Sequence, residues 1–313
     1  MENHFDVIII GAGAAGLTSG IYLSRAKMKT LILNEGAVGG QMVLTHEIAN
    51  YPGIESISGY ELARNMKAQA VKFGCKIKSN IKITSFELEN ELKKIVVNGK
   101  DIYTSDAVII STGGKSRTIG AVGEDIFKGR GISYCATCDG DFFQDKEIIV
   151  VGGGNSALEE AVSLTKYASK VTVVHQFDHF QAFDHYVEEA KKNQKINFIM
   201  ESKIIEFIGE EKLTSVKIQS ASNEITEMKV DGVFILIGYE PNTESLKGII
   251  SLNEKNEIIV DKNLQTNLEG VFAAGDSIQK KYRQVTTAVA DGTVAALSAA
   301  EYLNQKKKIS TLV

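Results

Sequence analysis

Cysteine, proline and an excess of one charge are all scarce in this chain of 313 residues. Three cysteines, two of them close together, do not make an extracellular disulfide framework. A reducing, cytoplasmic setting is expected instead, where a close pair is catalytic or metal-binding. The net charge of -4 implies no general affinity for nucleic acid or an anionic membrane. No apolar run reaches the length of a membrane span. The one early run, Val7 to Ile10, has no basic segment before it and ends in glycines, so it reads as a strand and not as a signal peptide. The lysine clusters Lys280-Lys281 and Lys306-Lys307-Lys308 read as solvated faces or a tail. There are only two prolines and no low-complexity linker. What remains is an ordinary globular mix, 43% hydrophobic and 24% charged, of a length that suggests about two domains.

The strongest positive feature is an internal repeat. Phe5-Asp6-Val7-Ile8-Ile9-Ile10 leads into Gly11-Ala12-Gly13-Ala14-Ala15-Gly16, and Glu147-Ile148-Ile149-Val150-Val151 leads into Gly152-Gly153-Gly154-Asn155-Ser156-Ala157. Each is a β-rich apolar run, a glycine turn and a helix-compatible stretch. The helices are expected near Ala14 to Ala26 and Ser156 to Ala168. The strands Leu31 to Leu33 and Val171 to Val174 follow. Each repeat is thus a βαβ unit on a parallel sheet. Residues 76 to 104 read as short alternating strands, a small β-meander covering one sheet. Thr112-Gly113-Gly114 and Gly238-Tyr239-Glu240-Pro241-Asn242 read as crossings between domains. The expected fold is α/β, with two Rossmann-like dinucleotide-binding domains. Residues 1–114 and 243–313 make the first, 115–242 are inserted into it, and a last helix is expected near Val285 to Leu303.

In the first loop, Gly11 makes the tight turn, Gly13 lets a pyrophosphate approach the backbone, and Gly16 lets the helix pack on the strand. Phosphates then lie at a helix N-terminus. Glu35, 19 residues after Gly16, is placed to take ribose hydroxyls. The other chemical signal is Cys135-Ala136-Thr137-Cys138-Asp139. Two cysteines at this spacing can close and open a small disulfide ring. Zinc wants four ligands, and Cys75, the remaining cysteine, reads as a small buried hydrophobe. No metal site is expected.

These motifs resemble the low-molecular-weight thioredoxin reductases from residue 5 to about 303. Gly39-Gly40-Gln41, Asn50-Tyr51-Pro52-Gly53, Gly275-Asp276 and Tyr282-Arg283-Gln284 look like the flavin-contacting segments of that family. The resemblance implies FAD, held by Gly11, Gly13, Ala14, Ala15, Gly16, Glu35, Gly40, Gln41, Asn50, Thr112, Gly113, Gly275, Asp276, Arg283, Gln284 and Val285. It implies that Cys138 faces the flavin, that Cys135 attacks the disulfide of thioredoxin, and that Asp139 exchanges a proton with the thiolate. It also implies a homodimer and a swivel of the inserted domain.

The resemblance fails at one place. The family clasps the 2′-phosphate of NADPH with arginines after the second strand of the inserted domain. Here Gln176, Phe177 and Gln181 occupy those positions, although Gly152, Gly154 and Ala157 keep the loop itself. Charge-assisted hydrogen bonds contribute about 1.5–3 kcal/mol each, so losing three weakens NADPH on the order of thousands-fold. Three donors stay open: NADH with Asp178 on its ribose, NADPH bound weakly, or a protein. In lacking the arginines the chain is most similar to the ferredoxin-dependent flavin thioredoxin reductases of clostridia, which implies reduced ferredoxin. Phe177, Phe180 and Phe183, with His179, His185 and Tyr186, either cover the adenosine pocket or belong to a core.

Overall fold

A computed structural model describes residues 3–45 and 47–312. The run Phe5 to Ile10 forms most of β1 (His4–Ile10), and its period-two alternation divides the core. Val7 and Ile9 enter one hydrophobic cluster, Ile8 and Ile10 another. The chain continues through α1 (Ala14–Arg25), β2 (Thr30–Leu33), α2 (Gly59–Lys72), β3 (Lys76–Lys78), β4 (Ile83–Glu87), β5 (Lys93–Val97), β6 (Asp101–Ile110) and β7 (Gly114–Ser116). Next come α3 (Glu124–Phe127), β8 (Ile132–Ser133), α4 (Ala136–Asp139), β9 (Glu147–Val151), α5 (Asn155–Leu164), β10 (Lys170–Val174) and α6 (Asp184–Lys192). They are followed by β11 (Ile196–Ile199), β12 (Ser202–Gly209), β13 (Leu213–Ser220), β14 (Ile225–Lys229) and β15 (Gly232–Ile235). The last elements are β16 (Tyr239–Pro241), β17 (Val271–Ala273) and α7 (Val285–Leu312). Contacts divide the chain into two compact units, residues 1–115 with 240–313, and residues 116–239.

In the first unit the sheet runs β3-β2-β1-β6-β5-β4. Strand β6 joins its two parts. It pairs in parallel with β1, antiparallel with β5 over its first half, and in parallel with β17 over Val108 to Ile110. One face packs α1, α2 and α7 against Val7 and Ile9. The other carries meander residues Leu88, Ile95, Val97 and Tyr103 against Ile8, Ile10 and Val108. The meander therefore covers the sheet, with one correction: β3 pairs in parallel with β2 and is not a meander strand.

The second unit repeats this design. Its five parallel strands run β11-β10-β9-β15-β8, and β12-β13-β14 form a separate antiparallel sheet. Ile148 and Val150 pack on α5 through Ala157, Leu158 and Ala161. Ile149 and Val151 pack on this second meander through Ile204, Phe207 and Val216. That meander is absent from the sequence expectation.

Two helix ends differ from expectation. Helix α5 stops at Leu164 because Thr165, Lys166 and Tyr167 turn back on residues three positions earlier. Helix α7 runs on through the strong helix-formers Lys306 to Lys308, where Lys306 meets Glu91 at 3.3 Å and Lys307 meets Asp6 at 3.8 Å. Lys280 is also not on a solvated face: its side chain is only 12% exposed and pairs with Asp291.

Candidate functional site

The three glycines of the first loop do three different jobs. Gly11 has φ +103°, and a Cβ there would stand 2.2 Å from the Ser111 carbonyl oxygen. A Cβ at Gly16 would stand 1.9 Å from the Gly11 oxygen, so α1 can lie this close to the loop only without a side chain. At Gly13 a Cβ would meet nothing within 4 Å; its space is open. The loop is braced by Asn34, whose Oδ1 accepts the Ala12 N–H at 2.9 Å. Asn34 was not among the expected residues, although it precedes Glu35 at the end of β2. The Glu35 carboxylate accepts the Ile83 N–H at 2.8 Å, so it links β2 to the meander.

Of the other expected residues, Gly40 and Gly275 lie against this loop and its helix. A Cβ on Gly40 would lie 3.2 Å from the Gly13 Cα. Gly275 lies against Ala15, with Ala14 and Ala15 both buried in α1. Arg283 reaches the Asp276 carbonyl at 3.5 Å and pairs with Glu257. Asn50 and Gln284 approach each other at 3.5 Å, and Val285 begins α7. Gln41 is exposed in the short turn after Gly40. The Gly113 carbonyl accepts the Asn242 N–H at 2.9 Å. Asp291 on α7 is a further member that no motif announced: it accepts from Gly275 N–H at 3.2 Å and from Lys280.

This cradle suits a polar, phosphate-bearing cofactor. Asp276 Oδ1 and Thr112 Oγ1 are buried and have no hydrogen-bond partner. A buried polar atom left unpaired costs about 1–3 kcal/mol, so these two atoms ask for donors from a ligand. Burial holds the Asp276 carboxyl above the usual range, opposed by Lys280 and Arg283. The open space over Gly13 lies at the N-terminus of α1, where phosphate is favoured.

The second unit carries the cysteine pair. Cys135 and Cys138 form a disulfide, with their Cα atoms 5.3 Å apart, at the start of α4. Ser133 organises the turn. Its hydroxyl donates to Asp139 Oδ2 at 2.6 Å and accepts the Cys135 N–H at 3.1 Å. Burial raises the Asp139 pKa, and the Ser133 hydroxyl opposes that rise. A carboxyl that keeps its proton to higher pH is suited to give one to a thiolate. Before the pair, the Tyr134 hydroxyl donates to Glu124 Oε1 at 2.7 Å, and the buried Glu124 also takes the Gly120 N–H at 2.8 Å. Behind the pair, Glu160 Oε2 accepts the Ala136 N–H at 3.1 Å. Glu124, Ser133 and Glu160 carry no motif signal. Cys75 is buried in the first unit, and among the described residues no group of three His, Cys, Asp or Glu could hold a metal ion.

The second glycine loop keeps its backbone but is laced by its own chain. Gly152 has φ +138°, and Gly154 has open space around its Cβ position. The ring of His175 lies on Gly153, where a Cβ would stand 2.5 Å from three ring atoms. His175 is buried, and burial lowers its pKa. Phe180 stacks on it at 5.9 Å and meets Phe198 at 5.4 Å, so Phe180 packs, partly buried, against the core of this unit. The Gln181 N–H donates to the Gly153 carbonyl and the Phe183 N–H to Asn155 Oδ1, both at 2.8 Å. Gln176, Phe177, Gln181 and Phe183 are exposed. Asp178, also exposed, is bound to His179 at 2.6 Å, which lowers its pKa.

Together these features define a class: an α/β protein of two dinucleotide-binding-type units, one with a cofactor cradle and the other with a redox disulfide. The chain belongs to the pyridine nucleotide-disulphide oxidoreductase family, whose model matches residues 5–292. It is 44% identical to a thioredoxin reductase of Peptoclostridium acidaminophilum, over 97% of this chain and 98% of that protein. It is also 44% identical to a 34.2 kDa protein in the rubredoxin operon of Clostridium pasteurianum, over 97% and 99%. The solved thioredoxin reductase of Streptococcus pyogenes superposes with a TM-score of 0.94 at 39% identity, covering 97% of this chain and all of that one.

Proposed function

We propose that this protein is a flavin-dependent thioredoxin reductase that binds FAD and takes its electrons from reduced ferredoxin. The observation that carries the reductase reading is the Cys135–Cys138 disulfide beside the half-buried Asp139, in a chain so similar to thioredoxin reductases. FAD, when bound, supplies a carrier that can accept single electrons and deliver pairs. The residues to hold it are those of the first loop, with Thr112, Gly275, Asp276 and the segment Arg283 to Val285. Once the pair is reduced, the Cys135 thiolate attacks the disulfide of thioredoxin and forms a mixed disulfide. Cys138 then attacks Cys135 and releases reduced thioredoxin. Asp139 holds the proton that the thiolate of the pair exchanges. The protein acts as a cytoplasmic homodimer; Val294 and Leu297, one turn apart and exposed on α7, offer an apolar stripe for it.

The donor assignment rests on Gln176, Phe177 and Gln181, none of which can pair a phosphate with a positive charge. The place of one relative in a rubredoxin operon accords with an iron–sulfur protein as partner. A second reading, NADH, draws on the open space at Gly154, but Asp178 already has His179 as its partner. The test mixes oxidised protein anaerobically with NADPH, NADH or reduced ferredoxin and follows flavin bleaching. Fast reduction by ferredoxin and slow reduction by both nucleotides is the expected result. Fast reduction by NADH overturns the protein-donor reading. The purified protein should be yellow; one that is colourless and takes up no FAD overturns the cofactor assignment.

A further inference from the structure

Three carboxylates hold the redox turn, and the chemistry above uses only Asp139. Glu124 acts at a distance, through the Tyr134 hydroxyl. Glu160 comes from α5 and binds the turn itself, at the Ala136 N–H, which is joined directly to Cys135. It is half buried, and burial raises its pKa, with Glu159 acting in the same direction and the Ala136 N–H opposing both. We propose that Glu160 is a positioning residue that sets the acidity of the Cys135 thiol, and through it the rate at which the reduced pair attacks a disulfide.

Two effects of Glu160 act in one direction. A thiolate is stabilised by neighbouring N–H donors, and Glu160 takes up the donor next to Cys135. Its negative charge also disfavours a second negative charge nearby, the more so in a partly buried place. With Glu160 ionised, the Cys135 thiol therefore keeps its proton to higher pH. The other charged groups about this cluster are Asp139 and Asp141 on the turn, Glu159 on α5, and Glu124 behind the Tyr134 hydroxyl. In the full reaction the dithiol gives up two electrons and two protons. One S–S bond forms between Cys135 and Cys138, the target S–S bond breaks, and each released thiolate takes one proton. Glu160 acts on the first step, the supply of Cys135 thiolate.

The inference rests on the pair being a redox dithiol, but its test needs neither electron donor nor thioredoxin. A failure of the donor or thioredoxin reading appears in turnover and leaves this test untouched. Cys135 is isolated in a Cys138→Ser background and chemically reduced. Its alkylation by iodoacetamide is then followed against pH by mass spectrometry of its own peptide. Glu160→Gln keeps the shape and an acceptor oxygen but removes the charge. The midpoint should fall by about one pH unit, and Glu160→Ala should lower it at least as far. Glu160→Asp keeps the charge and should stay closer to the parent. In the intact pair, Glu160→Gln should attack a small aromatic disulfide about threefold faster at neutral pH. The thiolate fraction rises about tenfold, while the lower basicity of the sulfur gives back about a factor of three. A purely structural role would shift the melting temperature and leave the midpoint in place. An unchanged or raised midpoint in both Glu160→Gln and Glu160→Ala overturns the proposal.

Discussion

The two glycine loops of this protein share one backbone design and differ in what surrounds them. Both follow a buried parallel strand, both open with a glycine at positive φ, and both leave open space at the third loop position, Gly13 or Gly154. Around the first, a side chain braces the backbone while polar atoms stay unpaired: Asn34 holds Ala12, and Thr112 and Asp276 keep buried oxygens free. Around the second, the chain supplies most of the partners itself, and the one unpaired buried atom is His175 Nε2 on the ring that covers the loop. His175 covers Gly153, Gln181 takes the Gly153 carbonyl, and Asn155 is occupied by Phe183. A glycine loop is therefore a backbone shape, and the neighbours decide whether it receives a ligand. The first has neighbours that ask for one; the second has the same backbone with Gln176, Phe177 and Gln181, and no cation among those three, beside it.

The contrast can be broken most severely at the helix contact. The first loop has Gly16 where the second has Ala157, and only the first lies against a backbone oxygen at 1.9 Å. Gly16→Ala should force α1 away from β1, costing about 3 kcal/mol or more, and the protein should purify without flavin. Chemical denaturation and the visible spectrum measure the two losses. A stable yellow variant would show that the close approach is not required.

A second change asks whether the inserted unit is a dormant site or a closed one. Its backbone is retained and positions 176, 177 and 181 are exposed, so the missing part is charge. Combining Gln176→Arg, Phe177→Arg and Gln181→Arg should raise NADPH-driven flavin reduction at least about a hundredfold, since each restored charge-assisted contact contributes about 1.5–3 kcal/mol. Ferredoxin-driven turnover should hardly change. No gain with NADPH in stopped-flow measurements would mean that Phe183, His185 and their neighbours close the place sterically. A milder pair follows. Gly13→Ala and Gly154→Ala both put a methyl into open space, so both should fold with stability within about 0.5 kcal/mol of the parent. Only Gly13→Ala should weaken flavin, by about tenfold in titration of the stripped protein, if the flavin binds at the first loop as proposed.

The elements with a strict period were readable from the residues. Strands β1 and β9 follow from apolar runs ended by glycine, α1 from the helix-compatible stretch after the first loop, and β2 and β10 from the short apolar runs beyond each helix; the solved relative shares the fold. The second meander was not readable. Its strands mix inward Ile204, Phe207 and Val216 with lysines and glutamates, and no turn motif marks them as a sheet. The role of β3 was missed because three residues carry too little pattern to show which neighbour they join. The same limit applies at the sites. A motif announces residues whose spacing is local, such as Gly11 to Gly16 or Cys135 to Asp139. It is silent on Asp291, Glu124 and Glu160, which reach their partners from other elements through tertiary packing.

A further effect, seen only at high pH, separates the cysteines of the two units. Cys75 is buried beside Gly20 and Ile32, and burial pushes its thiol up to about 11 from an ordinary value near 9. At pH 8 about one part in a thousand is then thiolate, so Cys75 should resist alkylation while the reduced Cys135–Cys138 pair reacts. The linkage has a definite sign. Between about pH 9 and pH 11 the unfolded chain loses the Cys75 proton while the folded chain keeps it. Stability is therefore fully present below pH 9 and falls by about 1.4 kcal/mol per pH unit across that window. Cys75→Ala should abolish this slope. It should leave a small, pH-independent loss of about 1 kcal/mol from the missing sulfur, and flavin content should not change. Parent and variant denaturation curves compared at pH 8 and pH 10.5 isolate the effect, because all other titrating groups are common to both. Equal pH dependence in the two proteins would mean that Cys75 does not titrate as its burial requires.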